Sequence, residues 1–508
     1  MKRTDVGIAL LIFIASLILY IRTLAPSLLY GDSAEFQTIA YTLGIGHPTG
    51  YPVYILLAKL FTFLPFGDVA YRVNLLSAVA AALTISLVYL ILRKLGTWQI
   101  PAILSVFFLA FAELFWKHAS IAEIYTVSAA CLALIIYAIL AWRGSGNPRW
   151  LFVAGIFGGL SLGIHTTVSL SGISIFLYLV LSTRQKTDWI QASLGSILGL
   201  VIFLSSFLFL DYLNASAGYY NTVVYHALSV WGMTPADFDS PFERLAFLYF
   251  PPQFSGQFLA VPSEMIIERL RDFFSDASWN IWIALIGIAS LFVSRKNSVS
   301  RWCEAILLFI AFFTFLLFAA SYDVYDYYVF YIPAILILVI AIGLGFNAIA
   351  ELISAIPKMP IFIPGIVVSV LILASLWFSF PSALSSWKNR TPPMMDDYEG
   401  LLFAFPDTRR IEAELILNDI EDNAIIFTDW DAAYNFYYVA HVLQGRTEMD
   451  FHETYPQEDM SGLADSTLAY IEANIDMRPI YFTESPSELV AFYKITRAGS
   501  GLFRIAER

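Results

Sequence analysis

Residues 6–25 read VGIALLIFIASLILYIRTLA. The chain then breaks into Pro26, Gly31-Asp32-Ser33-Ala34-Glu35-Phe36 and Gly44-Ile45-Gly46-His47-Pro48-Thr49-Gly50-Tyr51-Pro52. The first stretch is long enough to cross a bilayer, because about 20 residues at ~1.5 Å each span ~30 Å of hydrocarbon. The second gathers acids, a histidine and turn formers just outside it. Further apolar runs of spanning quality lie near 74–92, 100–115, 121–142, 190–210, 277–294, 303–321, 328–350 and 361–381. Two shorter runs, 151–165 and 167–183, flank His165-Thr166-Thr167 and read as a helical hairpin whose tip stops within the membrane or at its outer edge. The fold class expected is a mainly α, polytopic membrane protein of about 11 transmembrane helices, followed by a C-terminal extracytoplasmic α/β domain.

Composition agrees. Of the 508 residues, 58% are hydrophobic and only 14% charged, and mean hydropathy is +0.68. This excludes a soluble enzyme and a disordered scaffold. A net charge of −12 argues against nucleic acid as a partner. Cys131 and Cys303 sit in separate apolar runs, so no disulfide framework is expected. The six histidines form no paired metal motif. The acidity is concentrated: residues 382–508 hold 10 basic and 22 acidic groups, while residues 1–381 balance. The domains expected are therefore a membrane body, 1–381, and a soluble acidic tail, 382–508.

Basic residues orient the body. Lys2 and Arg3, Arg93 and Lys94, Arg143 and Arg149, Arg184 and Lys186, Arg295, Lys296 and Arg301, and Lys358 all fall on one side of the eleven-span arrangement. The N-terminus is then cytoplasmic, held by an uncleaved anchor, and the tail lies outside. A first outer loop (26–72), a turn near Phe115–Glu123, a long outer loop (211–278) and the Asp323–Asp326 turn share the tail's side. In the tail, Ala424–Thr428 and Pro479–Phe482 read as strands. A helix is expected near 466–475, and a closing hairpin from Ala491–Ile495 and Leu502–Ile505 around Gly499 and Gly501.

The first outer loop is the densest candidate site. Asp32 and Glu35 are three residues apart, on one helix face. A carboxylate at the lipid–water boundary is placed to take a proton from an acceptor hydroxyl, help worth about 10²–10⁴ in rate. The same spacing also fits a capping box. His47, in a rigid turn with Tyr51, is either a donor to a phosphate oxygen or a partner of loop carbonyls. Arg72 and Asn74 open the second span, where Arg72 meets a lipid phosphate, Asp32 or bulk headgroups. Glu123 is a second carboxylate for the same cavity or a first-turn helix acid. His165 is an intramembrane ionisable group or a histidine bonded to a neighbouring Ser or Thr. Asp323 and Asp326 stand among tyrosines that serve either a sugar or an interfacial belt. Asp429-Trp430-Asp431 lies where a strand gives way to a helix, a common ligand position and a common cap.

Taken together, these segments resemble one membrane family. They are Leu24-Ala25-Pro26, Gly31 to Phe36, Leu43 to Pro52, Arg72-Val73-Asn74-Leu75-Leu76-Ser77-Ala78, Ile121-Ala122-Glu123-Ile124-Tyr125, Gly158 to His165 and Phe427 to Asp431. The family is grouped with the type-C glycosyltransferases (GT-C) and includes an animal endoplasmic-reticulum protein O-mannosyltransferase. Ala34 replaces a usual Gly, Thr49 replaces a usual Pro, and Trp231-Gly232 lacks a following Asp and Pro. The resemblance implies an inverting transferase moving a sugar from a polyprenyl- or dolichyl-phosphate donor to a protein or glycan acceptor hydroxyl. Asp32 is then the general base and Glu35 its partner. His47 and Arg72 become phosphate contacts, and Tyr51, Asn74, Glu123, His165, Asp323 and Asp326 secondary site residues. No cofactor is required. Magnesium or manganese would suit the oxygens of Asp32, Glu35 and Glu123. The rival classes are a membrane transporter and a non-catalytic lipid-carrier-binding subunit. With compact loops and no retention signal, the chain is expected in a prokaryotic plasma membrane.

Overall fold

The computed structural model describes residues 2–293, 298–456, 462–498 and 501–506. Helix α1 (Arg3–Arg22) is followed by two helices within the first loop, α2 (Gly31–Thr42) and α3 (Pro52–Thr62). Pro52 starts α3 with its φ already helical. The next helix, α4 (Val69–Lys94), is capped by Asp68, whose Oδ1 accepts from Tyr71 N at 2.7 Å. Arg72 thus belongs to α4 rather than to the loop.

Three short pieces, α5 (Gln99–Ser105), α6 (Phe107–Ala110) and α7 (Glu113–Ala119), make a rod bent by 71°. Then come α8 (Tyr125–Ser145), α9 (Arg149–Leu160), tight turns through Ser161–Leu170, α10 (Ser171–Ser182) and α11 (Lys186–Leu213). The long loop holds α12 (Pro241–Tyr249) and α13 (Ser263–Ala277), and α13 meets α14 (Asn280–Val293) at 89°. Asp211, expected to open that loop, is still inside α11 and receives Arg244 on both oxygens at 2.7 and 2.8 Å. The body closes with α15 (Ser298–Ser321), α16 (Ile332–Ser354) and α17 (Ile363–Ser379), the last bent by 66° into α18 (Ala383–Asn389).

Among the described residues, six helices are long and apolar enough to cross a membrane, or nine if each bent pair is one span. The expected eleven are reached only by adding the short helices at 149–163 and 166–182, which form the hairpin around His165. The basic residues Arg93, Lys94, Arg143, Arg149 and Lys186 stand at the ends of α4, α8, α9 and α11, and Lys358 lies in the turn between α16 and α17, whereas Arg295 and Lys296 lie outside the described residues.

Glycine decides one contact. Helices α9 and α11 each carry a Gly-x-x-x-Gly pair, Gly155 and Gly159 facing Gly195 and Gly199. A Cβ on Gly195 would lie 2.1 Å from the Phe152 carbonyl oxygen, and one on Gly199 2.3 Å from that of Ile156. The helices approach backbone to backbone because lipid tails offer no hydrophobic drive, leaving close packing to do the work.

The tail carries α19 (Asp397–Ala404), α20 (Thr408–Leu417), α21 (Trp430–Tyr437) and α22 (Asp465–Asn474) beside a five-stranded sheet. Its strands are β1 (Ile425–Thr428), β2 (Asp450–Glu453), β3 (Ile480–Phe482), β4 (Lys494–Arg497) and β5 (Phe503–Ala506), in the order β2-β1-β3-β5-β4. β1 pairs parallel with β2 and β3, and β5 antiparallel with β3 and β4. The closing hairpin begins later than expected, at Lys494, and Gly499 lies outside the described residues. β2 was not anticipated, because its polar Asp450, His452 and Glu453 hide the apolar run. The tail is packed onto the body: Thr38 Oγ1 donates to Tyr434 O at 3.2 Å, and Ala70 N to the Tyr438 hydroxyl at 3.0 Å.

Gly195→Val should force α9 from α11 and cost about 1–3 kcal/mol by overpacking. A lowered thermal midpoint in detergent would register it. Gly144→Ala, where a Cβ meets nothing within 4 Å, should leave the midpoint unchanged or raise it.

Candidate active site

Helix α2 has no apolar stripe, because it is enclosed on every side. Residues Ser33 to Ala40 are all buried. Its polar groups are matched one by one: Ser33 Oγ donates to Ala122 O at 3.1 Å, and Gln37 Nε2 to Asn74 Oδ1 at 2.8 Å. Asn74 Nδ2 in turn donates to Ala25 O at 3.0 Å. Asn74 is therefore a strut beneath the helix. Gly31 enters at φ +57, a conformation that favours glycine.

The capping box fitted to Asp32 and Glu35 is not formed. The residue at the cap is Tyr30, and no side chain caps it. Instead, Glu35, fully buried, turns towards the Gly46–Tyr51 turn. Its Oε1 accepts from His47 N at 2.8 Å and from the Tyr434 hydroxyl at 3.2 Å, and its Oε2 meets His47 Nδ1 in a short contact. His47 Nε2 lies 3.1 Å from the Tyr51 hydroxyl and 3.9 Å from Asp32 Oδ2. Asp32 Oδ1 accepts from Trp430 Nε1 at 3.2 Å, and 44% of its side chain remains accessible. Burial alone would lower the His47 imidazole, but the carboxylates of Glu35 and Asp32, with Glu123 beyond, push it up to about 10. Burial pushes the Glu35 carboxyl up, and His47 pulls it back. The two carboxylates thus favour the protonated form of the His47 imidazole that stands between them.

A polar cavity of about 180 Å³ opens beside Asp32. Glu123 and Asp326 line it. Ser77 holds Glu123 by both backbone groups, with Oγ donating to Glu123 O at 3.2 Å and accepting from Glu123 N at 3.3 Å. Burial first, then the Asp32 charge, pushes the carboxyls of Glu123 and Asp326 up. His165 sits at the hairpin tip, its Nδ1 2.5 Å from Thr167 Oγ1, with its ring stacked on Tyr51 at 6.1 Å.

Two expected residues are not brought into this group. Arg72 donates to the carbonyls of Thr62, Leu64 and Asp68, tying off the end of α3. Asp323 is half-exposed and lies 3.9 Å from Arg269. Trp231 packs on Phe247 in the long loop. The tail residues Trp430 and Tyr434, which touch Asp32 and Glu35, were not assigned to the site from sequence. The only signal was the strand-to-helix position of Asp429-Trp430-Asp431.

The residues that cluster with metal-ligand spacing are Asp32, Glu35 and His47, with ligand atoms within 4.8 Å of one another, and Glu123 is not among them. Both Glu35 oxygens already accept from His47 or Tyr434, and one nitrogen of His47 faces Glu35. As arranged, the donors form a closed relay and do not fit a divalent ion.

Residues 32–189 match the model of a family described as the protein O-mannosyl-transferase TMEM260 N-terminal domain. The Mus musculus protein O-mannosyl-transferase TMEM260 is 34% identical over 152 residues, 29% of this chain and 22% of that protein. Its Dictyostelium discoideum counterpart is 24% identical over 140 residues, 27% and 17% of the two. The match thus spans less than a quarter of either relative. Among solved structures, ArnT from Cupriavidus metallidurans bound to undecaprenyl phosphate aligns with a TM-score of 0.59 at 12% identity, over 98% of both chains. The Archaeoglobus fulgidus oligosaccharyltransferase in complex with Zn and sulfate gives 0.55 at 12%, over 98% of this chain and 73% of that one. At such identity the likeness is one of fold, and the chain is a multi-pass membrane protein with the GT-C fold. The matched region contains Asp32, Glu35, His47, Glu123 and His165. Both named relatives are eukaryotic, which overturns the assignment to a prokaryotic plasma membrane.

An imidazole raised from 6.5 to about 10 stabilises the folded state fully below pH 6.5 and loses that contribution as pH rises through about 10. The thermal midpoint in detergent should therefore fall across this window. Glu35→Gln should flatten the dependence, and an unchanged slope would contradict the pairing.

Proposed function

We propose that the chain is a glycosyltransferase that moves a sugar from a lipid-phosphate donor to a hydroxyl of a protein or glycan, with Asp32 as the general base. The observation that carries this reading is the setting of Asp32. It is accessible at the rim of a polar cavity, aimed by Trp430 and backed by a cation that a buried glutamate fixes in place. The fold shared with ArnT and the match to O-mannosyl-transferases support the class of reaction.

In the proposed step the acceptor oxygen attacks the anomeric carbon opposite the carrier. Its proton passes to an Asp32 oxygen, the bond from the anomeric carbon to the phosphate oxygen breaks, and the lipid phosphate leaves with that electron pair. The anomeric configuration inverts. His47, its imidazole pushed towards the protonated form by the neighbouring carboxylates, places positive charge near the departing phosphate. Trp430 holds one Asp32 oxygen by its indole N–H and so restricts the carboxylate's orientation, and the base meets the acceptor already aligned. An apolar groove of about 510 Å³ between α8, α9, α10 and α11 ends at Val168 and Ser169, beside the His165 tip. It opens outward at Phe176 and Ile197, both more than half exposed, and suits the carrier's hydrocarbon chain.

Purified protein in nanodiscs, given radiolabelled polyprenyl-phosphate sugars and membrane extract, tests the reaction. Asp32→Asn should lower transfer by about 10²–10⁴ with donor binding kept. Donor binding without acceptor-dependent transfer in the wild type would instead favour a carrier-binding subunit. Gly172→Trp, which fills the groove from a position with nothing within 4 Å, should raise KM for a long-chain donor at least about tenfold. A donor with a single short prenyl unit should be unaffected.

A further inference from the structure

Several cations around the site are already committed. Arg72 is tied to three carbonyls, Lys117 to Glu399 at 2.8 Å and Arg244 to Asp211 at 2.7 Å. His165 is committed on one side of its ring. Its Nδ1 accepts from the backbone N–H of Thr167 at 3.4 Å and lies 2.5 Å from the Thr167 hydroxyl. A ring nitrogen that accepts from an N–H carries no proton, so the imidazole is neutral and its proton sits on Nε2. That second N–H has no hydrogen-bond partner among the described residues. It is also not one of the enclosed orphan atoms of the core, although only 6% of His165 is exposed. Buried donors of this kind are normally satisfied by water or a ligand.

The residue stands at a junction. His165 N donates to Ser161 O at 2.8 Å, and Val168 N donates to His165 O at 3.3 Å. Ser161 and Val168 both line the apolar groove. The ring looks the other way: it stacks on Tyr51 and meets Tyr125 edge-on at 5.8 Å, and Tyr125 lines the polar cavity beside Asp32. The Tyr51 hydroxyl in turn lies 3.1 Å from His47 Nε2. A lipid phosphate with its chain in the groove would carry its phosphate at this boundary between hydrocarbon and polar site.

We infer that His165 is the contact for the carrier's phosphate: Thr167 fixes its tautomer, and its Nε2–H donates to a phosphate oxygen where the groove meets the site. The inference rests on the transferase reading and adds the residue that holds the carrier's anionic end. A fixed N–H donor also suits the proposed step. The phosphate gains charge as the sugar leaves it, and a hydrogen bond strengthens as its acceptor becomes more ionised.

The test compares dissociation constants in nanodiscs for polyprenyl phosphate and polyprenol of equal chain length, with inorganic phosphate and phosphatidic acid as competitors. The wild type should favour the phosphate over the alcohol by at least about tenfold, the worth of a hydrogen bond to a charged group. His165→Ala should remove most of that advantage. His165→Gln, whose amide N–H stands in for the ring Nε2–H, should keep most of it. Polyprenol affinity should be unchanged in both variants, which reports that they are folded. An advantage unmoved by His165→Ala, or lost equally with Gln, overturns the assignment. So does displacement of the carrier by phosphatidic acid or inorganic phosphate at equal affinity, which would mark a general anion site. In the ¹⁵N spectrum of histidine-labelled wild type, with His165→Gln identifying the His165 signals, the proton should reside on Nε2. Polyprenyl phosphate should shift that signal more than the Nδ1 signal, and a proton on Nδ1 overturns the inference whatever the variants do. These readouts need no turnover, so a failure of Asp32→Asn to lower transfer would remove the catalytic reading and leave the phosphate contact standing.

Discussion

The buried carboxylate of Glu35 is the constraint on which the rest of the site depends. It takes donors from three directions, the backbone and ring of His47 and the hydroxyl of Tyr434. An ionised carboxylate with no exposed surface is tolerable only when so compensated. The donors arrive on two elements: the turn after α2 and helix α21 of the tail. Removing the carboxylate would untie the turn, release the histidine and loosen the tail in one step. Asp32, three residues earlier on the same helix, inherits its surroundings from that arrangement.

The consequence is a candidate site with an unusual charge balance. Asp32, Glu123 and Asp326 share one cavity, and His47 is the cation that stands between Asp32 and Glu35. Burial first, and then the Asp32 charge, holds the two inner acids towards their neutral forms, while the accessible one is backed by the His47 imidazole. Carboxyls in different states within one pocket can divide the labour of accepting and donating protons. The body supplies rigidity for this. Backbone contact through glycine between α9 and α11 fixes the hairpin whose tip, His165, stacks on Tyr51.

Much of this was legible in the sequence. Apolar length located the long membrane helices, though not α2, α3, α12 and α13 inside the stretches read as loops, and the density of acids and turn formers in the first loop singled out Asp32, Glu35 and His47. What local pattern could not resolve was direction. Asp32 and Glu35 have the spacing of a cap, and only the fold shows that Glu35 points back to His47. Arg72 looked available to a ligand because sequence does not reveal three loop carbonyls converging on it. Asp323 and Asp326 are near neighbours, yet the turn sends one to Arg269 and the other to the cavity. The tail's contribution was the least visible. Trp430 and Asp32 are 398 positions apart, and no periodicity spans such a distance. The prokaryotic assignment rested on what the chain lacked, and absence proved a poor guide.

That same separation sets a timetable. A ribosome adding about 5–20 residues per second needs roughly 20–80 s to travel from Asp32 to Trp430. Throughout that interval the membrane helices are already entering the bilayer, yet Asp32 lacks its indole partner and Glu35 lacks the Tyr434 hydroxyl. The last quarter of the polypeptide thus acts as a key cut after the lock. Until the tail has been made, a nascent chain lacks the two contacts that complete the candidate site.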